Sequence, residues 1–128
     1  MEDIRFLLVD DHVNVRLALR RLISTLPRGK VVAEAGNGDD ALRLVSSHRP
    51  HIVLMDIVMP VMDGLQAAER MKRLYPDLHI VLYTGHPKER FQQRARGLGI
   101  DAIYMKEELT ISELKRLVSR WFSLSPQM

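Results

Sequence analysis

The sequence predicts an α/β domain built on a parallel sheet with both faces covered. Five short apolar runs alternate with stretches of helical period, and the connections between them are short. Four of the runs also end on residues able to do chemistry: Asp10 and Asp11, Asp56, Thr84, and Lys106. In an open parallel sheet such residues emerge together at the carboxyl edge, where α/β folds place their sites.

The elements follow in order. Ile4 to Val9 is the first strand, and after Asp11 the residues Val15, Leu19, Leu22, Ile23 and Leu26 recur at spacings of three and four. Pro27-Arg28-Gly29 closes that helix, and Lys30 to Ala35 reads as a second strand. Gly36-Asn37-Gly38 is a turn, and the helix beginning at Asp39 carries acids in its first turn, where the helix dipole favours them. His48-Arg49-Pro50 ends it before the strand Ile52 to Met55. A third helix starts near Asp63-Gly64 and stops at Tyr75-Pro76, ahead of the strand Ile80 to Tyr83. The fourth follows Pro87, a favoured first residue, and ends at Gly97-Leu98-Gly99. Ala102 to Met105 is the fifth strand. Thr110-Ile111-Ser112-Glu113 has a capping-box pattern opening a fifth helix through Leu114, Leu117, Val118, Trp121 and Phe122. The expected domain is 1–122, with a short tail over 123–128.

Composition narrows the function class. At 128 residues, 46% hydrophobic and 27% charged, the chain suits one globular core. The absence of cysteine excludes disulfides, thiol catalysis and cysteine-bound zinc. The N-terminus is neither a signal peptide nor a spanning segment, so a cytoplasmic protein without membrane contact is expected. The +3 charge is spread over several helices without interleaved aromatics, which argues against direct nucleic-acid binding. Asp-Asp-His stands where a glycine-rich phosphate loop would follow the first strand, and the five histidines lack metal-ligand spacing.

The chemistry lies in the strand-end residues. Adjacent Asp10 and Asp11 with Asp56 would crowd like charges, raising one pKa unless a cation compensates. An all-oxygen set suits Mg²⁺ or Mn²⁺, although two acids ahead of a helix can also be simple caps. A carboxylate beside a metal can act as a nucleophile toward phosphorus. Lys106 would supply a fixed positive charge, Thr84 a hydroxyl and Gly85 an approachable backbone N–H; His12 and His86 fall near the rim.

Taken together, Leu7-Leu8-Val9-Asp10-Asp11-His12, the segment Val53 to Gly64 with Met59-Pro60 and Asp63-Gly64 after Asp56, Leu82-Tyr83-Thr84-Gly85, and Met105-Lys106 resemble the receiver domain of a bacterial two-component response regulator. The resemblance spans essentially the whole chain, and the Asp-Asp-His opening is most similar to regulators with a helix-turn-helix output domain. It implies a flavodoxin-like three-layer sandwich, a CheY-like fold of strand order 2-1-3-4-5. It also implies that Asp56 accepts phosphate from a histidine kinase or phosphotransfer protein. Asp10, Asp11 and Asp56 with the Val58 carbonyl would bind Mg²⁺, and Thr84, Gly85 and Lys106 would hold the phosphoryl group. The protein is then a switch with slow autodephosphorylation, not a turnover enzyme.

Two departures from the family pattern stand out. Glu107-Glu108 follows the lysine where many receivers have proline, and Ile103 occupies the position of the usual switch aromatic, three residues before Lys106. Tyr104 lies one position later and should face the other side of the sheet. The expected output face, made by the fourth helix, fifth strand and fifth helix, carries Lys88, Arg90, Arg94, Lys115 and Arg116 and would serve a homodimer or an acidic protein partner. With no DNA-binding segment after Phe122, a stand-alone receiver and the regulatory part of a longer protein are both open, the first being the working expectation. The rival functions are a phosphate-independent pseudo-receiver and a metal-dependent phosphohydrolase.

Overall fold

The computed structural model describes residues 2–124; of the expected tail over 123–128, residues 125–128 lie outside the described residues. Five strands, β1 (Ile4–Val9), β2 (Gly29–Ala35), β3 (Ile52–Asp56), β4 (His79–Thr84) and β5 (Ala102–Met105), alternate with α1 (Val13–Ser24), α2 (Gly38–His48), α3 (Gly64–Leu74), α4 (Glu89–Ala95) and α5 (Ile111–Val118). All neighbouring strands are parallel, in the order β2-β1-β3-β4-β5. β1, β3 and β4 form the middle of the sheet and are almost wholly buried, as their near-continuous apolar runs require.

Side chains alternate between two cores. Leu7, Val9, Val53, Met55, Ile80 and Leu82 pack with Ala41 and Val45 of α2 and Leu65 and Met71 of α3. On the other face, Phe6, Leu8, Leu54, Val81 and Tyr83 pack with Leu19 and Ile23 of α1 and Leu114 and Val118 of α5. Ile103 belongs to the first face and Tyr104 to the second, as strand alternation predicts.

The helix ends depart from the sequence reading in ways that hydrogen bonding explains. α1 stops at Ser24, because Thr25 and Leu26 donate to Leu22 and Ile23 in tighter turns and Arg28 takes a φ of +67°. β2 then starts at Gly29, where a Cβ would lie 2.8 Å from the Ile23 carbonyl. α4 begins two residues after Pro87 and ends at Ala95, before Gly97 and Gly99, whose φ values of +77° and +76° need glycine. The capping box expected on α5 is half made: Thr110 accepts from the Glu113 N–H, but the Glu113 carboxylate is engaged by Arg116 and Tyr104. The complete box caps α3, where Asp63 accepts from Gln66 N–H at 2.8 Å and Gln66 accepts from Asp63 N–H at 3.0 Å. α5 ends at Val118, so Trp121 and Phe122 lie in the turn beyond it. There Trp121 stacks on His79 with centroids 3.8 Å apart, and Phe122 meets His51 edge-on.

Asp63 has a second partner, Arg94 of α4, at 2.9 Å. Asp63→Ala should therefore cost about 1 kcal/mol, the usual worth of an N-cap, with the exposed ion pair adding little. Denaturant unfolding checks this. Arg94→Ala should leave stability nearly unchanged.

Candidate functional site

The parallel sheet brings the carboxyl ends of β1, β3, β4 and β5 to one edge. Ligand atoms of Asp10, Asp11, His12 and Asp56 there lie within 4.8 Å of one another. Asp10 and Asp56 are 0% and 3% exposed, so two carboxylates are buried side by side. His12 sits at the mouth of this group, with Nδ1 3.1 Å from Asp10 and 3.2 Å from Asp11.

Each residue of the site is held by its own element. The Asp10 N–H donates to the Ala35 carbonyl at 3.0 Å, and its own carbonyl accepts from the Arg16 guanidinium. Arg16 also bonds Glu34, which pairs with Arg20, so α1 and β2 are clamped together behind the acidic pair. Asp56 is the last residue of β3, and its Oδ1 accepts from the Val58 N–H at 3.3 Å. The loop that follows is anchored by buried Met59 and Met62, which hold the 92%-exposed Val61 at a φ of +69°, an unfavourable conformation for a β-branched residue. Gly64 then closes the loop: its N–H donates to the Ile57 carbonyl at 2.7 Å, and a Cβ would fall 2.3 Å from the Asp56 carbonyl oxygen. Met-Pro and Asp-Gly after Asp56 thus have a direct role, since they fold the chain back tightly enough to leave the aspartate at the pocket.

Thr84 and Lys106 close the other side. Thr84 is fully buried, and its Oγ1 accepts from the His86 N–H at 2.9 Å, leaving the hydroxyl proton free to be donated. Lys106 is exposed and passes over Gly85, with its Cδ 3.9 Å from where a Cβ would stand. Gly85 is exposed.

The electrostatics follow from this crowding. Burial and then the Asp10 carboxylate push the Asp56 carboxyl up to about 6, while Lys106 and the Val58 N–H oppose the rise. The donors are mostly carboxylate oxygens, the set that suits a hard divalent cation such as Mg²⁺. The sequence reading missed Tyr83. Its hydroxyl donates to Asp10 Oδ2 at 2.7 Å, and burial followed by the Asp10 charge pushes the phenol well above its usual range, so it remains a donor. In sequence it is one more apolar residue of a strand, and only the register, with Tyr83 beside Asp56, carries it to the site.

Comparison with known proteins agrees with the fold. The family model described as the response regulator receiver domain matches residues 6–119. The chain belongs to this family. The receiver is 33% identical to the response regulator GacA of Pseudomonas aeruginosa over 98% of this chain and 60% of that protein. It is 34% identical to VraR of Staphylococcus saprophyticus over 80% of this chain and 49% of that protein. The chain therefore spans between about half and three fifths of the length of these relatives. Among solved structures, the signal receiver domain of NarL from Mycobacterium tuberculosis superposes with a TM-score of 0.82 at 30% identity, covering 94% of this chain and 96% of that one. A LuxR-family two-component response regulator from Aurantimonas sp. SI85-9A1 gives 0.83 at 32% identity, covering 93% and 84%.

The raised pKa fixes a sign for stability in metal-free buffer. Asp56 binds its proton more tightly folded than unfolded, so its favourable contribution is complete below about pH 4 and is lost as pH rises through about 6. The loss amounts to roughly 1–3 kcal/mol at neutral pH. Asp56→Asn should then be more stable than wild type at pH 7.5 without divalent cations and should lack this decline between pH 4 and 7. Urea titrations across that range are the check.

Proposed function

We propose that this receiver takes a phosphoryl group from a kinase phosphohistidine onto Asp56 and uses the acyl phosphate to switch a binding surface. The observation that carries the reading is the convergence of Asp10, Asp11 and Asp56 at one edge of the sheet, closed by Thr84 and Lys106 from the next strands. A carboxylate oxygen of Asp56 attacks the phosphorus, the P–N bond to the donor imidazole breaks, and the bond electrons leave with that imidazole, which is protonated from solvent. Mg²⁺, held by Asp10, Asp11, Asp56 and the Val58 carbonyl, would offset the repulsion between the incoming phosphoryl oxygens and the acidic pocket. Thr84 donates its hydroxyl proton to a phosphoryl oxygen, the Gly85 N–H lies open beside it, and Lys106 supplies a point charge on its flexible stem. Slow loss of the phosphoryl group to water resets the switch, consistent with a signalling role.

The output surface is more guarded than its basic residues suggest. Three of the five cations on the α4, β5 and α5 side are engaged within the chain: Lys88 with Glu108 at 3.1 Å, Arg94 with Asp63, and Arg116 with Glu113. Arg90 and Lys115 are exposed and show no ion pair among the described residues. A homodimer or an acidic protein partner on this face must compete with those internal pairs. Ile103 packs on the α4 side of the sheet, while the Tyr104 hydroxyl is bound to Glu113 of α5 at 2.8 Å on the α5 side. The switch therefore works without a Tyr104 rotamer change.

The deciding experiment is incubation with acetyl phosphate and Mg²⁺ followed by intact-mass measurement. One acid-stable, base-labile phosphoryl group should be added to wild type and none to Asp56→Asn. Full labelling of that variant would rule out Asp56 as the phosphoacceptor, and no labelling of wild type would favour the phosphate-independent pseudo-receiver. Substrate-saturable turnover without accumulation would point to the phosphohydrolase. A second expectation concerns Lys106: phosphorylation should change the sedimentation of wild type, and Lys106→Ala should still be labelled yet lose that change. A wild-type change in that variant removes Lys106 from the switch.

A further inference from the structure

The Tyr83 hydroxyl is the one buried side-chain donor bonded to Asp10 among the described residues, and it comes from an unexpected direction. β1 and β4 are not neighbours, because β3 lies between them, so the bond to Asp10 Oδ2 spans the strand that carries Asp56. Tyr83 is also the register partner of Asp56 and the residue before Thr84. It is 1% exposed and Asp10 is 0% exposed, so no water can stand in for the phenol without the packing opening. The other contacts of the Asp10 carboxylate come from its own neighbourhood: Oδ1 accepts from the His12 N–H at 2.9 Å and lies near the exposed His12 ring.

We propose that Tyr83 is a positioning residue of the phosphorylation site, whose hydroxyl fixes the Asp10 carboxylate from across β3 and so pre-organises the acidic pocket for a divalent cation. The inference rests on reading that pocket as the Mg²⁺ site. A carboxylate held in one orientation presents its free lone pairs without first having to be ordered, so binding the cation costs less conformational freedom. The same bond joins β1 to the strand bearing Thr84, so the acidic pair and the hydroxyl that meets the phosphoryl group share one rigid frame. Tyr83 acts through Asp10 and touches no reacting atom.

Tyr83→Phe is a clean test, because it removes one hydroxyl and keeps the ring in its core. Mg²⁺ titration calorimetry on wild type and variant should show the dissociation constant rising about tenfold, the usual loss when a ligand's supporting partner is removed. The half-saturating Mg²⁺ concentration for acetyl phosphate labelling should rise by the same factor, while the labelling rate at saturating Mg²⁺ stays within about threefold. In an Asp10→Asn background the substitution should have little further effect on Mg²⁺ affinity, because its target carboxylate is gone. Wild-type Mg²⁺ affinity in Tyr83→Phe overturns the proposal, as does a fall in the saturated rate at unchanged Mg²⁺ dependence. Absence of Mg²⁺ binding by wild type would overturn the metal reading first and this inference with it.

Discussion

Two aspartates buried side by side at the end of a parallel sheet are the constraint on which this molecule turns. Asp10 and Asp56 repel each other out of reach of water, and the surrounding elements either hold them there or supply opposite charge. The loop after β3 is pinned by Met59 and Met62 and closed by Gly64, so Asp56 cannot swing away from the edge. Arg16 and Ala35 hold the backbone of Asp10, and Tyr83 with the His12 N–H holds its carboxylate. Crowding held in place by this much structure is stored free energy, and a cation or an incoming group that changes the charge can release it.

That view also explains why the chemical and output surfaces differ in character. Asp10 and Asp56 of the acidic pocket are buried, whereas α4 is a seven-residue helix with no buried residue, followed by two glycines in left-handed conformations. A short helix with little buried surface has a low cost of displacement and belongs to the part of a fold that moves. On the opposite face Tyr104 is tied to Glu113, whose carboxyl is drawn down to about 2 by Arg116 and then by the tyrosine, which keeps that bond charge-assisted. With Ile103 on the α4 side and a fixed Tyr104 on the α5 side, a change at Thr84 would reach the surface through backbone and packing, without a swinging ring.

Most of the site was legible because strand ends are marked twice in the sequence, by the close of an apolar run and by the residue that follows it. Asp10, Asp11, Asp56, Thr84 and Lys106 each stood in that position, and the order of the strands, which no local pattern contains, came from the family resemblance. What escaped is set by distant pairings. Tyr83 and Asp10 are 73 residues apart, and nothing local distinguishes a tyrosine that packs from one that also donates to a buried acid. The basic face misled for the same reason: Lys88 meets Glu108 and Arg94 meets Asp63 across 20 and 31 residues. The capping-box pattern at Thr110 was spent differently because Glu113 finds stronger partners in Arg116 and Tyr104, while the box at Asp63 and Gln66 was concealed within a segment read for its phosphoacceptor.

Burial beside Asp10 makes the Asp56 carboxylate costly, and on the proposed function a divalent cation removes that cost. Carbon-13 NMR titration of the Asp56 side-chain carboxyl, with and without saturating Mg²⁺, reads this directly. The expected metal-free midpoint is about 6, and it should move below the ordinary carboxylate range when Mg²⁺ is present. A metal-free midpoint in the ordinary carboxylate range, unmoved by Mg²⁺, would contradict it.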